Sequence, residues 1–209
     1  MEKLSRKEQN VKIFLNSALN NFTQFGIYDA KVSAIASDVG LTERSAYRYF
    51  PTKASMVKEC LKLLWHNYML MANEAYLRLD CDDKDTICKI KLILMEYAKL
   101  FLNNKNELLF VTEAEAYLTR CNISIYDGDS FPLNLKDRGS LKSIIDEGIR
   151  NNDILDNEET KLLYFNCFDS LLGFMEKLVI ESYNNKITDD EAIKRLDLFT
   201  TILAKGFKK

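Results

Sequence analysis

The sequence predicts an all-α protein, and three observations predict it. Only seven glycines and two prolines occur in 209 residues, too few for the tight turns that sheets and phosphate-binding loops require. Leu, Lys, Glu and Asn fill long stretches that contain no breaker. The apolar residues recur at helical intervals. A hydrophobic share of 47% with 29% charged residues describes a chain able to bury a core in water, and this length suits one domain or two small ones.

From Val11, the residues Phe14, Leu15, Ala18, Leu19, Phe22 and Phe25 follow at offsets of 3, 4, 7, 8, 11 and 14. A first amphipathic helix therefore runs over 11–25 and ends at Gly26. After a linker, 27–31, a short helix uses Val32, Ile35, Ala36 and Val39 and stops at Gly40. Thr42 offers an N-cap hydroxyl to a third helix, 43–50, which Pro51 closes. Thr52 is the next N-cap, for a long helix carrying Val57, Leu61, Leu64, Trp65, Tyr68, Met69, Ala72 and Tyr76 to about Leu79. An acidic cluster over 80–85 separates it from a helix over 85–103 on Ile87, Ile90, Leu94, Tyr97 and Phe101. A helix over 105–121 follows, and 122–134, with Gly128 and Pro132, reads as the long loop. Three more helices are expected over 135–150, 157–183 and 188–207, the last opening on Thr188 and three acids that suit the positive end of a helix dipole. The domain division expected is 1–52 and 53–209.

Several function classes are disfavoured. One histidine, no Glu-x-x-His pair, no glycine-rich phosphate loop and no nucleophile motif argue against an enzyme and leave no metal site or cofactor to expect. The lone His66, beside Trp65, reads as a partly buried structural side chain. Cys60, Cys81, Cys88, Cys121 and Cys167 form no CxxC pair and read as buried thiols of a reducing compartment. No stretch approaches the roughly 18 apolar residues of a membrane span and no cleavable leader is visible, so a cytoplasmic location is expected, with no membrane partner.

The near-neutral net charge of −2 conceals an asymmetry. Residues 1–60 carry nine basic and six acidic side chains, a net of +3, and the remainder carries twenty and twenty-five, a net of −5. A basic head is the electrostatic footprint of a nucleic-acid reader, although a solvated face gives the same figure. Within that head, 35–50 reads IASDVGLTERSAYRYF. A helix-turn-helix needs a small residue where its helices cross, a glycine in the turn and an apolar anchor on the second helix. Ala36, Gly40 and Ala46 occupy those points, and Arg44, Ser45, Tyr47 and Arg48 then face outward, able to reach base edges or phosphates. By spacing alone, an ordinary helical hairpin reads equally well.

The residues that follow separate the two. Tyr47-Arg48-Tyr49-Phe50-Pro51-Thr52-Lys53, after a helix in the register of 11–25 and before a long helix, resembles the DNA-binding domain of the tetracycline-repressor-like (TetR) family over residues 8–60. The resemblance implies that Thr42 contacts a phosphate or base edge, that Arg44 and Ser45 read bases, that Tyr47 lies near the backbone and thymine methyls, and that Tyr49 and Lys53 hold phosphates. Arg48 stays with the outward set. The threonine the family places near Ala30 or Lys31 is missing, so Lys31 and Ser33 are the residues left to reach phosphate there. Glu43 reads first as an acid at a helix N-terminus, and alternatively as an acceptor for a cytosine amino group.

The helix over 157–183 is apolar almost all round, with Leu162, Phe165, Leu172, Met175 and Val179 on one face and Leu163, Cys167, Phe168, Leu171, Phe174 and Leu178 on another. Together with 188–207 it predicts a homodimer through a four-helix interface, which the resemblance also implies. In the family the remaining body encloses a small-molecule pocket. The matching candidates here are Trp65, Tyr68, Met69, Tyr97, Phe101, Phe110, Tyr117, Phe165, Phe168 and Leu172, with Glu113 and Asp169 as acids for a cationic ligand. The function expected is a ligand-responsive transcriptional repressor that binds a palindromic double-stranded DNA operator and is released by a small apolar or aromatic effector. The alternative is an architectural or protein-partnered DNA-binding regulator with no effector.

Overall fold

The computed structural model describes residues 6–79, 81, 83–125 and 139–208, except the side chains of residues 6, 7, 100 and 101. Among them are nine helices and no strand: α1 (Arg6–Asp29), α2 (Val32–Asp38), α3 (Glu43–Tyr49), α4 (Lys53–Leu77), α5 (Thr86–Asn103), α6 (Lys105–Arg120), α7 (Leu141–Arg150), α8 (Glu158–Tyr183) and α9 (Asp189–Lys205). No helix of the described residues is long and apolar enough to cross a membrane.

Compactness divides the chain into a unit of Met1–His66 with Asn106–Gly128 and a unit of Asn67–Lys105 with Asp129–Lys209. The division anticipated at residue 52 thus falls inside the first unit. The reason is α6, whose Phe110 stacks on Phe22 of α1 with ring centroids 6.0 Å apart, so a helix remote in sequence completes the first unit's core.

In that unit the apolar stripe of α1 buries Phe14, Ala18, Leu19 and Phe22. Gly26 breaks the helix with φ 77° and ψ 162°, a conformation open essentially to glycine. The anticipated linker is instead a closed turn: Ala30 N–H donates to Gly26 O at 3.2 Å, and Ile27 is fully buried. At the start of α4, Ser55 N–H donates to Thr52 Oγ1 at 3.0 Å while Thr52 N–H donates to Ser55 Oγ at 3.1 Å. This reciprocal cap supports the role read for Thr52.

In the second unit α5 packs against α7, α8 and α9 through a core that includes Ile90, Ile93, Leu94 and Ala98. Helix α7 starts at Leu141, not at 135, because Ser140 Oγ accepts from Ser143 N–H at 3.1 Å and caps it; residues 126–138, including Gly128 and Pro132, lie outside the described residues. Asn157 and Thr188 cap α8 and α9. Helix α8 has one buried stripe, Tyr164, Cys167, Phe168, Leu171, Met175, Leu178 and Val179. Met175 and Val179 therefore join the inner face, leaving Leu162, Phe165 and Ile180 exposed.

Candidate nucleic-acid interface

The three N-terminal helices present a polar helix on a closed apolar base. Ile35, Ala36 and Ala46 have no exposed surface, which lets α2 and α3 approach as the small residues required. Between them the chain turns at Gly40, φ 68°, and Leu41 N–H donates back to Ala36 O at 2.8 Å. Phe50 stacks on Phe14 at 5.6 Å and anchors the end of α3 on α1. A polar lock fixes α2 against α1: Asn21 Nδ2 donates to Asp38 Oδ2 at 3.0 Å, and Ser17 Oγ to the same oxygen at 3.4 Å.

Helix α3 therefore offers its outer face from a fixed frame. Thr42 Oγ1 accepts from Ser45 N–H at 3.2 Å and lies 3.0 Å from Ser45 Oγ, so both side chains serve the cap and keep their oxygens at the exposed start of the helix. Arg44, Tyr47 and Arg48 are exposed. The Arg48 guanidinium sits 5.7 Å from the Tyr49 ring centroid, a cation–π contact that stiffens the end of the helix. Glu43 occupies the first turn of α3. Lys31 and Ser33 are exposed at the start of α2, where Lys31 is the N-cap residue and makes no side-chain cap, as its chemistry dictates.

Lys53 occupies a more enclosed place. Its ammonium donates to Ala30 O at 2.7 Å and to Tyr28 O at 3.3 Å, tying the first turn of α4 to the α1–α2 junction. Burial holds its pKa below the ordinary lysine value, against the opposing pull of Glu113 and Asp29. Glu113 closes the same junction from α6: both carboxylate oxygens lie 2.9 Å from the Ile27 N–H. Tyr117, one turn on, meets Tyr28 edge to face at 5.6 Å. Burial first, then Cys121, Tyr28 and Tyr47, push the Tyr117 hydroxyl up. No sequence pattern marks the Glu113 and Lys53 links, because their partners are backbone groups that any residue carries.

The residues assigned to a ligand pocket divide between the units. Trp65, Phe110, Glu113 and Tyr117 belong to the first, where Trp65 and Phe110 are buried. In the second, Tyr68, Met69, Tyr97 and Phe168 are buried, with Tyr97 edge-on to Phe168 at 6.4 Å. Leu172 is half-buried, while Phe165 and Asp169 are exposed. The Phe101 side chain lies outside the described residues. His66 is exposed, not partly buried. Of the cysteines, Cys60, Cys81 and Cys167 are buried, Cys88 is intermediate and Cys121 is exposed at the end of α6, contrary to the uniformly buried reading. Among the described residues no group of His, Cys, Asp and Glu could hold a metal ion.

The frame has relatives. Residues 14–60 match the family model of bacterial regulatory proteins of the tetR family. An uncharacterised HTH-type transcriptional regulator of Bacillus subtilis, YdgC, is 29% identical over 104 residues, 50% of this chain and 53% of that protein, so the match spans about half of this curated relative. The fatty acid degradation regulator FadR of Bacillus halodurans superposes with a TM-score of 0.60 at 15% identity, over 95% of this chain and 96% of that one. A putative TetR-family transcriptional regulator of Mesorhizobium loti gives 0.68 at 11%, over 99% and 100%. At these identities the solved structures share the fold.

Proposed function

We propose that the chain, whose residues 14–60 match the model of bacterial regulatory proteins of the tetR family, is a dimeric DNA-binding transcriptional regulator of that family, a repressor that a small apolar or aromatic molecule releases from a palindromic operator. The observation that carries this reading is the outer face of α3. Arg44, Tyr47 and Arg48 are exposed on a helix whose inner residue Ala46 has no exposed surface, so they are held ready to enter a major groove. Arg44 and Ser45 read base edges, Thr42, Tyr49, Lys31 and Ser33 hold the backbone, and Lys53 acts chiefly by fixing the frame.

Twofold pairing supports the same reading. Leu162, Phe165 and Ile180 of α8 and Ile193, Leu198 and Ile202 of α9 are exposed apolar side chains on helices that pack together, and a second copy would cover them. A dimer would place two α3 helices at half-sites about one DNA turn apart, roughly 34–36 Å.

The test is operator binding by fluorescence anisotropy, with fragments selected from random DNA. Arg44→Ala with Tyr49→Phe is expected to weaken specific binding about tenfold or more, since a bidentate base contact is worth about 1–3 kcal/mol. Unchanged affinity in that double variant, or no sequence preference in the wild type, would overturn the reading.

A further inference from the structure

Glu43 is exposed at the first position of α3, and among the described residues its carboxylate has no hydrogen bond and no ion pair. The start of the helix is capped without it. Thr42 Oγ1 accepts from Ser45 N–H at 3.2 Å, Thr42 O accepts from Ala46 N–H at 3.0 Å, and the Thr42 and Ser45 hydroxyls lie 3.0 Å apart. Neither arginine of α3 neutralises the acid: Arg44 is the next residue and so points in another direction, and Arg48 lies against the Tyr49 ring. What Glu43 does within the chain is limited to the weak benefit an exposed acid draws from the helix dipole. Its neighbour on the helix surface is Tyr47, one turn on and also exposed. Glu43 therefore stands on the side of α3 that the proposed function turns toward DNA.

The chemistry of an unpaired carboxylate in that place is narrow. It can only accept hydrogen bonds, and the donors that a major groove offers are the amino groups of cytosine and adenine. Adenine sets its N7 acceptor beside the amino group, guanine shows two acceptors, and thymine shows an acceptor and a methyl group. Cytosine alone presents a donor with no acceptor on its own edge. Against the other bases, and against phosphates, the charge is repelled. An acid here weakens the sequence-independent attraction to DNA and adds a penalty for the wrong base, which is discrimination by exclusion. Arg44 carries donors only and makes the opposite demand, so it suits guanine.

We propose that Glu43 is a specificity-determining residue, which accepts from the N4 amino group of one cytosine in each half-site and rejects guanine and thymine there by charge repulsion. This inference rests on the DNA-binding reading above and names one base of the operator.

Selection of random double-stranded DNA by the full chain, repeated with Glu43→Ala and Glu43→Gln, tests it, followed by anisotropy titrations on the selected fragment and its single-base variants. The wild type is expected to require a C·G pair at one position of each half-site, and to lose about tenfold in affinity when T·A replaces it. In Glu43→Ala that penalty should fall below about twofold, and binding to unselected DNA should strengthen. Glu43→Gln should turn the preference at the same position toward adenine, whose amino group and N7 together fit a side-chain amide. Thermal melts check that both variants fold. An acid that served only the helix dipole would lower the melting temperature in the variants and leave the base preferences alone. Base preferences unchanged in both variants therefore overturn the inference and leave the DNA-binding reading standing, whereas a wild-type chain with no sequence preference overturns that reading and the inference with it.

Discussion

Hydrogen-bonded polar side chains serve the two units differently. In the first, they close the frame: Asp38 receives Asn21 and Ser17, Glu113 receives the Ile27 N–H, Lys53 caps the carbonyls of Tyr28 and Ala30, and Thr42 caps α3. In the second, the cluster of Asn73, Tyr97 and Leu141 N–H ends in a donor without an acceptor among the described residues. A unit that must present α3 in one orientation benefits from satisfied, directional bonds, which fix geometry more than they add stability. The contrast is between polar bonds that close a frame and a cluster that keeps one donor over.

The comparison breaks most severely where the first unit's frame loses its aromatic anchor. Phe14 has no exposed surface and stacks on Phe50, so Phe14→Ala should cost about 3–5 kcal/mol. Urea denaturation followed by circular dichroism measures this. A loss below about 1 kcal/mol would show that α1 does not depend on the stack.

Glu113 tests the polar half of the same frame. Glu113→Leu leaves the Ile27 N–H, in a residue with no exposed surface, without its acceptor, at a cost of about 1–3 kcal/mol. Glu113→Gln retains one acceptor oxygen and should recover most of the loss. Hydrogen exchange at the Ile27 amide is the local readout: its protection should fall in the Leu variant and largely return in the Gln variant.

High pH should act more strongly on the second unit. Burial pushes the Cys167 thiol up to about 12, and raises the Tyr97 and Tyr164 hydroxyls above the ordinary tyrosine range. The first unit has Cys60 raised by burial and by Glu59, and Tyr117 raised while partly exposed. A group that stays protonated when folded but ionises when unfolded contributes fully below its unfolded pKa. That contribution falls as pH rises toward the folded pKa. For Cys167 the loss runs from about pH 8.5 to about 12, at about 1.4 kcal/mol per pH unit; the tyrosines follow from about pH 10. Tyrosinate absorbance should therefore rise in a late cooperative step, and Tyr164→Phe should move that step to higher pH. A gradual titration of every tyrosine with no cooperative step would contradict this.

The helices were legible in the sequence because periodicity and caps are local: Thr42, Thr52 and Thr188 each cap the helix read from them. The shortage of glycine, taken as a sign of helices, has a second cause. Asn122, Asn152 and Asn185 adopt φ of 54°, 64° and 54° just beyond α6, α7 and α8, the left-handed turn that glycine often supplies and asparagine tolerates. The outer face of α3 was legible for the same local reason. Asn73 was not, because it sits among apolar neighbours on α4 like any helical polar residue. Only the fold brings Tyr97 and Leu141 to it, and only their bonds show that one donor is left over. Glu113 was singled out as an acid among apolar residues, but its partner, a backbone N–H in α1, has no sequence signature.

Two glycines give the smallest and most discriminating contrast. Gly40 needs its φ of 68° for the turn, while a Cβ there would meet nothing within 4 Å. Gly148 has no such φ, but a Cβ would lie 2.5 Å from Thr86 Cγ2 and 2.9 Å from Ile154 Cδ1. The first is a demand of conformation and the second of space, so Ala should cost about 1 kcal/mol at either site for different reasons. Asn accepts the left-handed region, so Gly40→Asn should cost only a few tenths of a kcal/mol. At Gly148 no larger residue fits, and Gly148→Ser should be at least as harmful as Gly148→Ala. Thermal melts of the four variants decide it: if Asn at position 40 is no better than Ala, the turn is limited by contacts and not by φ, and the first unit is held as the second is, by packing.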